Sequence, residues 1–144
     1  MRNMTNQNRL KALVRHEFSF YANDNALNNI FEKIAADGVA IIAFTITNRM
    51  NVNFVRMIAG PLNSNSSFAN KVVRNALRSE RIQYDETEVI QIIFSPSPGV
   101  GLGIFQALRN MRVFAAYSAA NGIIINVSDT QTVLNLLKQA HVIR

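Results

Sequence analysis

The feature that most constrains the fold is an order of secondary-structure elements that the sequence repeats twice. When Asn25 is aligned with Gly99, apolar residues recur at a constant offset of 74 positions. The aligned pairs are Ile30 with Ile104, Ile34 with Leu108, and Val39 with Val113. In each half, residues at helical spacing lead into a strand rich in β-branched side chains. The sequence therefore predicts strand, helix, strand, strand, helix, strand, written twice.

Local signals give the boundaries of the elements in the first half. Residues 17–22 (EFSFYA) predict a short strand, and Asp24 or Asn25 can cap the helix that follows. The β-branched stretches 39–48 and 52–60, separated by three residues, predict a hairpin.

A second helix is predicted after Ser66 or Ser67 and runs to about Arg81. The stretch after it, IQYDETEVIQIIF, predicts two strands separated by a turn at Asp85 and Glu86. The first half is then complete at residue 84.

The second half opens on a glycine-rich corner, FSPSPGVGLGIFQAL (94–108), where two prolines and three glycines separate an apolar strand from an apolar helix. That helix is predicted to extend through Met111. The pair Asn121-Gly122 predicts a hairpin turn, and Asp129 can cap the last helix. A final short strand is expected over residues 141–144.

Positive charge is concentrated at the amino end. The formal net charge is +6, and residues 1–15 contribute four positive charges and no acid through Arg2, Arg9, Lys11 and Arg15. We interpret residues 1–15 as a basic leader, either a disordered solubilising arm or an arm that binds nucleic acid. The first interpretation is favoured because no aromatic residues are interleaved with the charges for stacking on bases.

Composition excludes several classes of protein. Cysteine is absent, so disulfides and thiolate chemistry are excluded, and His16 and His141 belong to no cluster with metal-ligand spacing. We therefore expect no metal and no cofactor. An apolar content of 49% without a long apolar run favours a soluble, cytoplasmic protein that does not enter a membrane.

Three stretches resemble the ACT domain family, specifically small proteins of two tandem ACT repeats. SPGVGLGIFQALRNMRVFAAYS follows the family order of a Pro-Gly turn, an apolar helix and a strand, and GVAIIAFTI and FVRMIAG resemble its second and third strands. The first half departs from this pattern, since Asp24 and Asn25 stand where the family often has Pro and Gly.

The resemblance implies an α+β fold of two ferredoxin-like βαββαβ repeats side by side, over residues 16–84 and 85–144. The two repeats would share an eight-stranded antiparallel sheet with four helices on one face. It also implies a non-catalytic regulatory or sensory protein, a homodimer, that binds a small molecule, often an amino acid.

In such proteins the ligand lies between the strand-to-helix corner of one repeat and the second strand of its neighbour. Eleven residues are the resulting candidates for ligand binding. They are Ser97, Pro98, Gly99, Val100 and Gly101 at the glycine-rich corner, Asn23, Asp24 and Asn25 at the first corner, and Val39, Ile41 and Val113 on the second strands.

The glycine-rich corner does not fit a nucleotide site. Ile104 occupies the third glycine position of the dinucleotide fingerprint, and the lysine and hydroxyl of a phosphate-binding loop are missing. Free N–H groups at a helix amino terminus suit a carboxylate, which gives a physical reason for an amino acid to bind there. The alternative for the glycine-rich corner is a tight structural turn. The alternative for Asn23–Asn25 is a set of simple helix caps.

Three other functions compete with the regulatory one. Asp85, Glu86 and Glu88 are interpreted as a solvated acidic turn, so no catalytic residue and no enzyme activity are expected. A nucleic-acid-binding sheet is ranked second, because NVNFVRMI keeps only a Phe-Val pair of the third-strand aromatic motif. An interaction protein whose ligand corners have lapsed is the remaining alternative.

Overall fold

The computed structural model describes residues 9–144. Within these residues, six strands and four helices follow one another along the chain. The strands are β1 (Lys11–Ala22), β2 (Ile41–Arg49), β3 (Val52–Ala59), β4 (Tyr84–Ile93), β5 (Val113–Ala119) and β6 (Gly122–Val127). The helices are α1 (Asp24–Ala36), α2 (Ser67–Ser79), α3 (Val100–Ala107) and α4 (Thr130–Gln139).

The strand order corrects the predicted fold class. The strands pair in the order β1-β3-β2-β5-β6-β4 and form a closed barrel. The prediction of two ferredoxin-like repeats sharing an open eight-stranded sheet with helices on one face is therefore wrong. In place of the two strands predicted on either side of Asp85 and Glu86 there is one strand, β4, and of residues 141–144 only Ile143 forms an isolated bridge.

The described chain forms two compact units. The contiguous unit is Arg15–Thr87, and the discontinuous unit combines the described residues up to Val14 with Glu88–Arg144. Strands β1 and β4 each contribute residues to both units. The predicted division into repeats at 16–84 and 85–144 stays a prediction.

In the contiguous unit, β3 pairs antiparallel with both β1 and β2. Alternate residues of β1 and β3 form one core with the apolar side chains of α1 and α2, as period-two strands and period-3.6 helices require. This core includes Phe18, Phe20, Val55, Met57, Ile30, Ile34, Val73 and Leu77. Because each fully buried large side chain stabilises the fold by about 1.5–3 kcal/mol, this cluster dominates the stability of the unit.

In the discontinuous unit, β6 pairs antiparallel with both β4 and β5. Its core includes Ile90, Ile92, Ile104, Leu108, Ile125, Val133 and Leu137. Leu10 joins this unit through a parallel bridge to Ile143, and its N–H donates to the carbonyl oxygen of Val142 at 2.9 Å.

Three helix caps show how local sequence sets the helix starts. Asn23, Ser66 and Asp129 each accept a hydrogen bond from the backbone N–H three residues ahead, at the starts of α1, α2 and α4. Ser66 and Asp129 confirm the predicted caps. The predicted caps Asp24 and Asn25 are wrong by one and two positions, because Asn23 is extended (φ −73°, ψ 170°) and Asp24 is already helical.

Strands β1 and β4 both include charged residues that were predicted to lie outside strands. Strand β1 begins at Lys11, so residues 11–15 of the predicted leader are ordered in a strand, and Arg15 is fully buried. Residues 1–8 of that leader lie outside the described residues. The turn predicted at Asp85 and Glu86 is absent, since both residues lie within β4.

The hairpin between β5 and β6 depends on a close approach of backbones. Ala119 pairs with Gly122, so the two-residue turn is Ala120 and Asn121, one position before the predicted turn. A methyl group added at Gly122 would lie 1.9 Å from the carbonyl oxygen of Ile92 on β4. Only glycine fits there without a shift of β4 against β6.

We expect Gly122→Ala to lower the free energy of unfolding by about 1–3 kcal/mol, because the added methyl overlaps backbone that cannot move freely. Gly103→Ala is the matched control, since the added methyl group meets nothing within 4 Å. This variant should not destabilise the fold, because alanine is more favourable than glycine inside a helix. Urea unfolding measures both. Equal stability of the two variants would contradict the close approach.

Candidate functional site

The glycine-rich corner, Ser97 to Gly101, leads into a helix that has no side-chain cap. Gly99 is the amino-terminal cap residue of α3, with a φ of 84° that favours glycine, and it offers no side chain to the helix. Helix α3 has eight residues and ends at Ala107, earlier than the predicted Met111. Its first-turn N–H groups lack the side-chain oxygen that α1, α2 and α4 each possess.

Space around this corner is open. A methyl group added at Gly99, Gly101 or Gly103 would meet nothing within 4 Å. Ser97 and Pro98 are exposed, and Val100 is half-buried against the core of the discontinuous unit. The glycines are therefore not required by internal packing, and they leave room for another group to approach the start of α3.

The first corner, Asn23 to Asn25, is built differently. The side-chain oxygen of Asn23 accepts from the N–H of Ala26 at 2.8 Å and so occupies the position that an external carboxylate would take. Asp24 Oδ1 accepts from Asn53 Nδ2 at 2.7 Å, and Asn53 Oδ1 accepts from Asn48 Nδ2 at 3.1 Å. Asn23 thus caps α1, Asp24 is held by Asn53 of β3, and Asn25 is exposed, which agrees with the helix-cap alternative for Asn23.

The second-strand candidates lie at the edges of the two cores. Val39 and Ile41 pack against the core of the contiguous unit, and Val113 packs against that of the discontinuous unit. Val39 also lines a cavity of about 340 Å³ together with Gly60, Pro61 and Phe68. Each of these three side chains thus packs within its own unit, and their role in ligand binding stays a prediction.

Two further hollows lie on the face of the contiguous unit that carries Tyr21 and Phe54. The arginine hollow, about 380 Å³, is lined by Tyr21, Thr47, Arg49, Phe54 and Arg56. The glutamine hollow, about 560 Å³, is lined by residues that include Ser19, Tyr21, Phe54, Gln83 and Asp85. The sequence analysis missed this face, although alternation along β1 and β3 places these residues opposite the core.

The acidic residues of β4 include an ion-paired glutamate. Arg74 Nε and Nη2 donate to the two carboxylate oxygens of Glu86, each at 2.7 Å, and His16 Nδ1 lies 2.6 Å from Glu86 Oε2. The hydrogen bond from Arg74, aided by that from His16, lowers the pKa of Glu86 to about 2. Glu86 therefore joins α2, β1 and β4, and the interpretation as a solvated turn is wrong for this residue.

Residues 9–144 show neither a metal-binding cluster nor a membrane-spanning helix. No group of three or more His, Cys, Asp or Glu side chains there could hold a metal ion. None of the helices in that part of the chain has both the length and the apolarity to span a bilayer.

Comparison with known proteins identifies similar folds. No family model matches the sequence, and no curated protein matches it. A structure from Bacteroides thetaiotaomicron has a TM-score of 0.70 at 18% identity and covers 89% of each chain. Regulatory subunits of aspartate kinase are also similar. The Thermus flavus subunit has a TM-score of 0.55 at 14% identity, with 92% of this chain and 96% of that chain covered. The ligand-free Thermus thermophilus subunit has a TM-score of 0.53 at 12% identity, with 90% of this chain and 95% of that chain covered.

These likenesses show a fold shared with regulatory subunits of aspartate kinase. At identities below 20%, they establish a shared fold and leave the function to be argued from the residues of this chain.

The Glu86 ion pair predicts a pH-dependent contribution to stability. A carboxyl group whose pKa is lowered in the folded state stabilises the fold above its ordinary pKa of 4.5, and this contribution is lost as the pH falls toward about 2. We expect Glu86→Gln to cost about 1–2 kcal/mol at pH 7, after allowance for solvent screening, and roughly half as much at pH 3.

Thermal unfolding at pH 7, 4.5 and 3 tests this, with Glu88→Gln as a control of equal charge change at an exposed position of the same strand. A difference between the parent protein and Glu86→Gln that is as large at pH 3 as at pH 7 would contradict the ion pair's role.

Proposed function

We propose that this chain is a non-catalytic regulatory protein that binds an amino acid at the glycine-rich corner. The α-carboxylate of the ligand accepts hydrogen bonds from N–H groups at the start of α3. A homodimer completes the function, as the resemblance to tandem ACT proteins implies.

The observation that carries this proposal is the missing side-chain cap of α3. Asn23, Ser66 and Asp129 supply an oxygen to the other three helices of the described chain, whereas Gly99 supplies none. A helix amino terminus attracts negative charge through its dipole and its free N–H groups. A ligand carboxylate takes the role of the absent cap.

The space around the corner supports the same assignment. Because side chains at Gly99 and Gly101 would meet nothing within 4 Å, the corner can admit a carboxylate without rearrangement. The first corner is already closed by Asn23. The proposal therefore assigns one carboxylate site to each chain, at the second corner.

An apolar surface beside this corner supports the dimer. On α3, Leu102 is 63% exposed and Phe105 is 40% exposed, whereas Ile104 is fully buried. Exposed apolar side chains next to a ligand site favour contact with a second chain. The fold shared with regulatory subunits of aspartate kinase supports the regulatory role.

A thermal-shift screen of the twenty amino acids tests the proposal, because a ligand that binds only the folded state raises its apparent stability. We expect at least one amino acid to raise Tm at millimolar concentration. Gly101→Val should lower the affinity for that amino acid by about tenfold or more. The loss arises because the added side chain fills the approach to the amides of α3.

Gly103→Val is the matched control. It introduces the same side chain two residues later in α3, where a methyl group also meets nothing within 4 Å, so it should leave the affinity unchanged. Equal effects of the two variants would move the ligand away from the corner, and no shift with any amino acid would reject the proposed function.

A further inference from the structure

Two aromatic rings lie side by side on the face of the contiguous unit opposite its core. Tyr21 on β1 pairs directly with Phe54 on β3, and the ring centroids are 4.9 Å apart with an interplanar angle of 46°. Tyr21 is 59% exposed. Neither ring belongs to the apolar core, so their contact presents a broad aromatic surface to solvent.

Positive charge is fixed on one side of this aromatic pair. The guanidinium of Arg56 lies 5.1 Å from the centroid of the Phe54 ring, and Glu17, whose carboxylate is fully buried, holds it at 2.8 Å. Arg49, at the exposed end of β2, completes the arginine hollow. The hollow therefore combines a guanidinium held in place with a second cation that is free to approach an anion.

The opposite side of the pair carries polar groups and an acid next to the apolar side chains of Phe20 and Ile82. Ser19, Gln83 and Asp85 line the glutamine hollow. Their side chains can donate to and accept from the edges of a planar base. Because Asp85 repels phosphate, an extended anionic ligand would place its phosphates toward Arg49 and Arg56.

We infer that this face binds single-stranded nucleic acid, with one base stacked on Tyr21 beside the tilted Phe54 ring and the adjoining phosphate on Arg49 and Arg56. Base stacking on exposed aromatic side chains beside a basic groove is a general mode of single-strand binding on open sheet faces. Charge complementarity supports this occupant, since the arginine hollow is lined by the exposed Arg49 and by Arg56, whose guanidinium is paired with Glu17.

The openness of the face distinguishes a strand from a free nucleotide. Small ligands bind in pockets that bury most of their surface. Here the ring pair lies between two hollows that are both lined by Tyr21 and Phe54, so a ligand can continue past the rings in either direction. This geometry fits successive nucleotides of one strand.

The aromatic pair has no local signature in the sequence, so a nucleic-acid-binding sheet was only the second-ranked prediction. That ranking rested on the missing glycine and flanking aromatics of the third-strand motif. Stacking depends on ring placement, and Tyr21 and Phe54 are brought together by strand register from positions 33 residues apart. This inference is independent of the amino-acid site, which lies on α3 in the discontinuous unit.

Fluorescence anisotropy with a labelled ten-nucleotide uridine strand tests the inference at several salt concentrations. We expect Tyr21→Ala to weaken binding by about tenfold and Tyr21→Phe to keep it, because stacking needs the ring and not the hydroxyl. Arg49→Gln should reduce the slope of log affinity against log salt by about 0.7, which corresponds to one phosphate contact.

Matched controls lie on α2 of the same unit. Phe68→Ala removes an aromatic ring that is 63% exposed, and Arg78→Gln removes an exposed cation, so neither should change the affinity or the slope. Equal losses from Tyr21→Ala and Phe68→Ala, or no binding of the strand, would overturn the inference. Displacement of the strand by uridine monophosphate at equal concentration would instead assign the face to a free nucleotide and would also overturn it.

Discussion

The buried guanidinium of Arg15 is the constraint on which the contiguous unit depends. Arginine retains its charge in proteins, so a fully buried guanidinium must be surrounded by acceptors. Its Nη1 donates to the carbonyl oxygen of Pro61 at 2.8 Å and its Nη2 to that of Ala59 at 3.3 Å. Burial lowers the pKa of Arg15 from its ordinary value. The end of β3 is thereby fixed against β1. Gly60 stands between the two acceptors with a φ of 124°, where a side chain would press on Arg15 and on Ala69 of α2.

Local chemistry made much of the fold predictable. The starts of α2 and α4 follow from the capping side chains of Ser66 and Asp129, and the hairpin between β2 and β3 follows from two β-branched runs around a short turn. The start of β1 was not predictable in the same way. Arg15 and Glu17 are charged, and only the tertiary structure shows that both are fully buried. Glu86 is a similar case. The acids Asp85 and Glu86 are typical of a turn, but both lie in β4, where Arg74 pairs with Glu86.

The two strand-to-helix corners show what a single sequence can and cannot tell about a site. Both corners were found from turn residues and helical spacing. Their difference was hidden, because it depends on whether one side chain, Asn23, folds back on its own helix while Gly99 has none to do so. The aromatic pair was hidden for another reason. Tyr21 and Phe54 meet only through the register of β1 against β3, and no local pattern encodes that register.

The discontinuous unit has a consequence for the timing of folding. Residues 15–87 are consecutive, so the contiguous unit can fold while the rest of the chain is still being synthesised. The other unit joins Leu10 to residues near Ile143, and this pairing closes a loop that spans most of the chain. Contacts of such long sequence separation form slowly. During translation, Leu10 must therefore wait for its partner until Ile143 has left the ribosome.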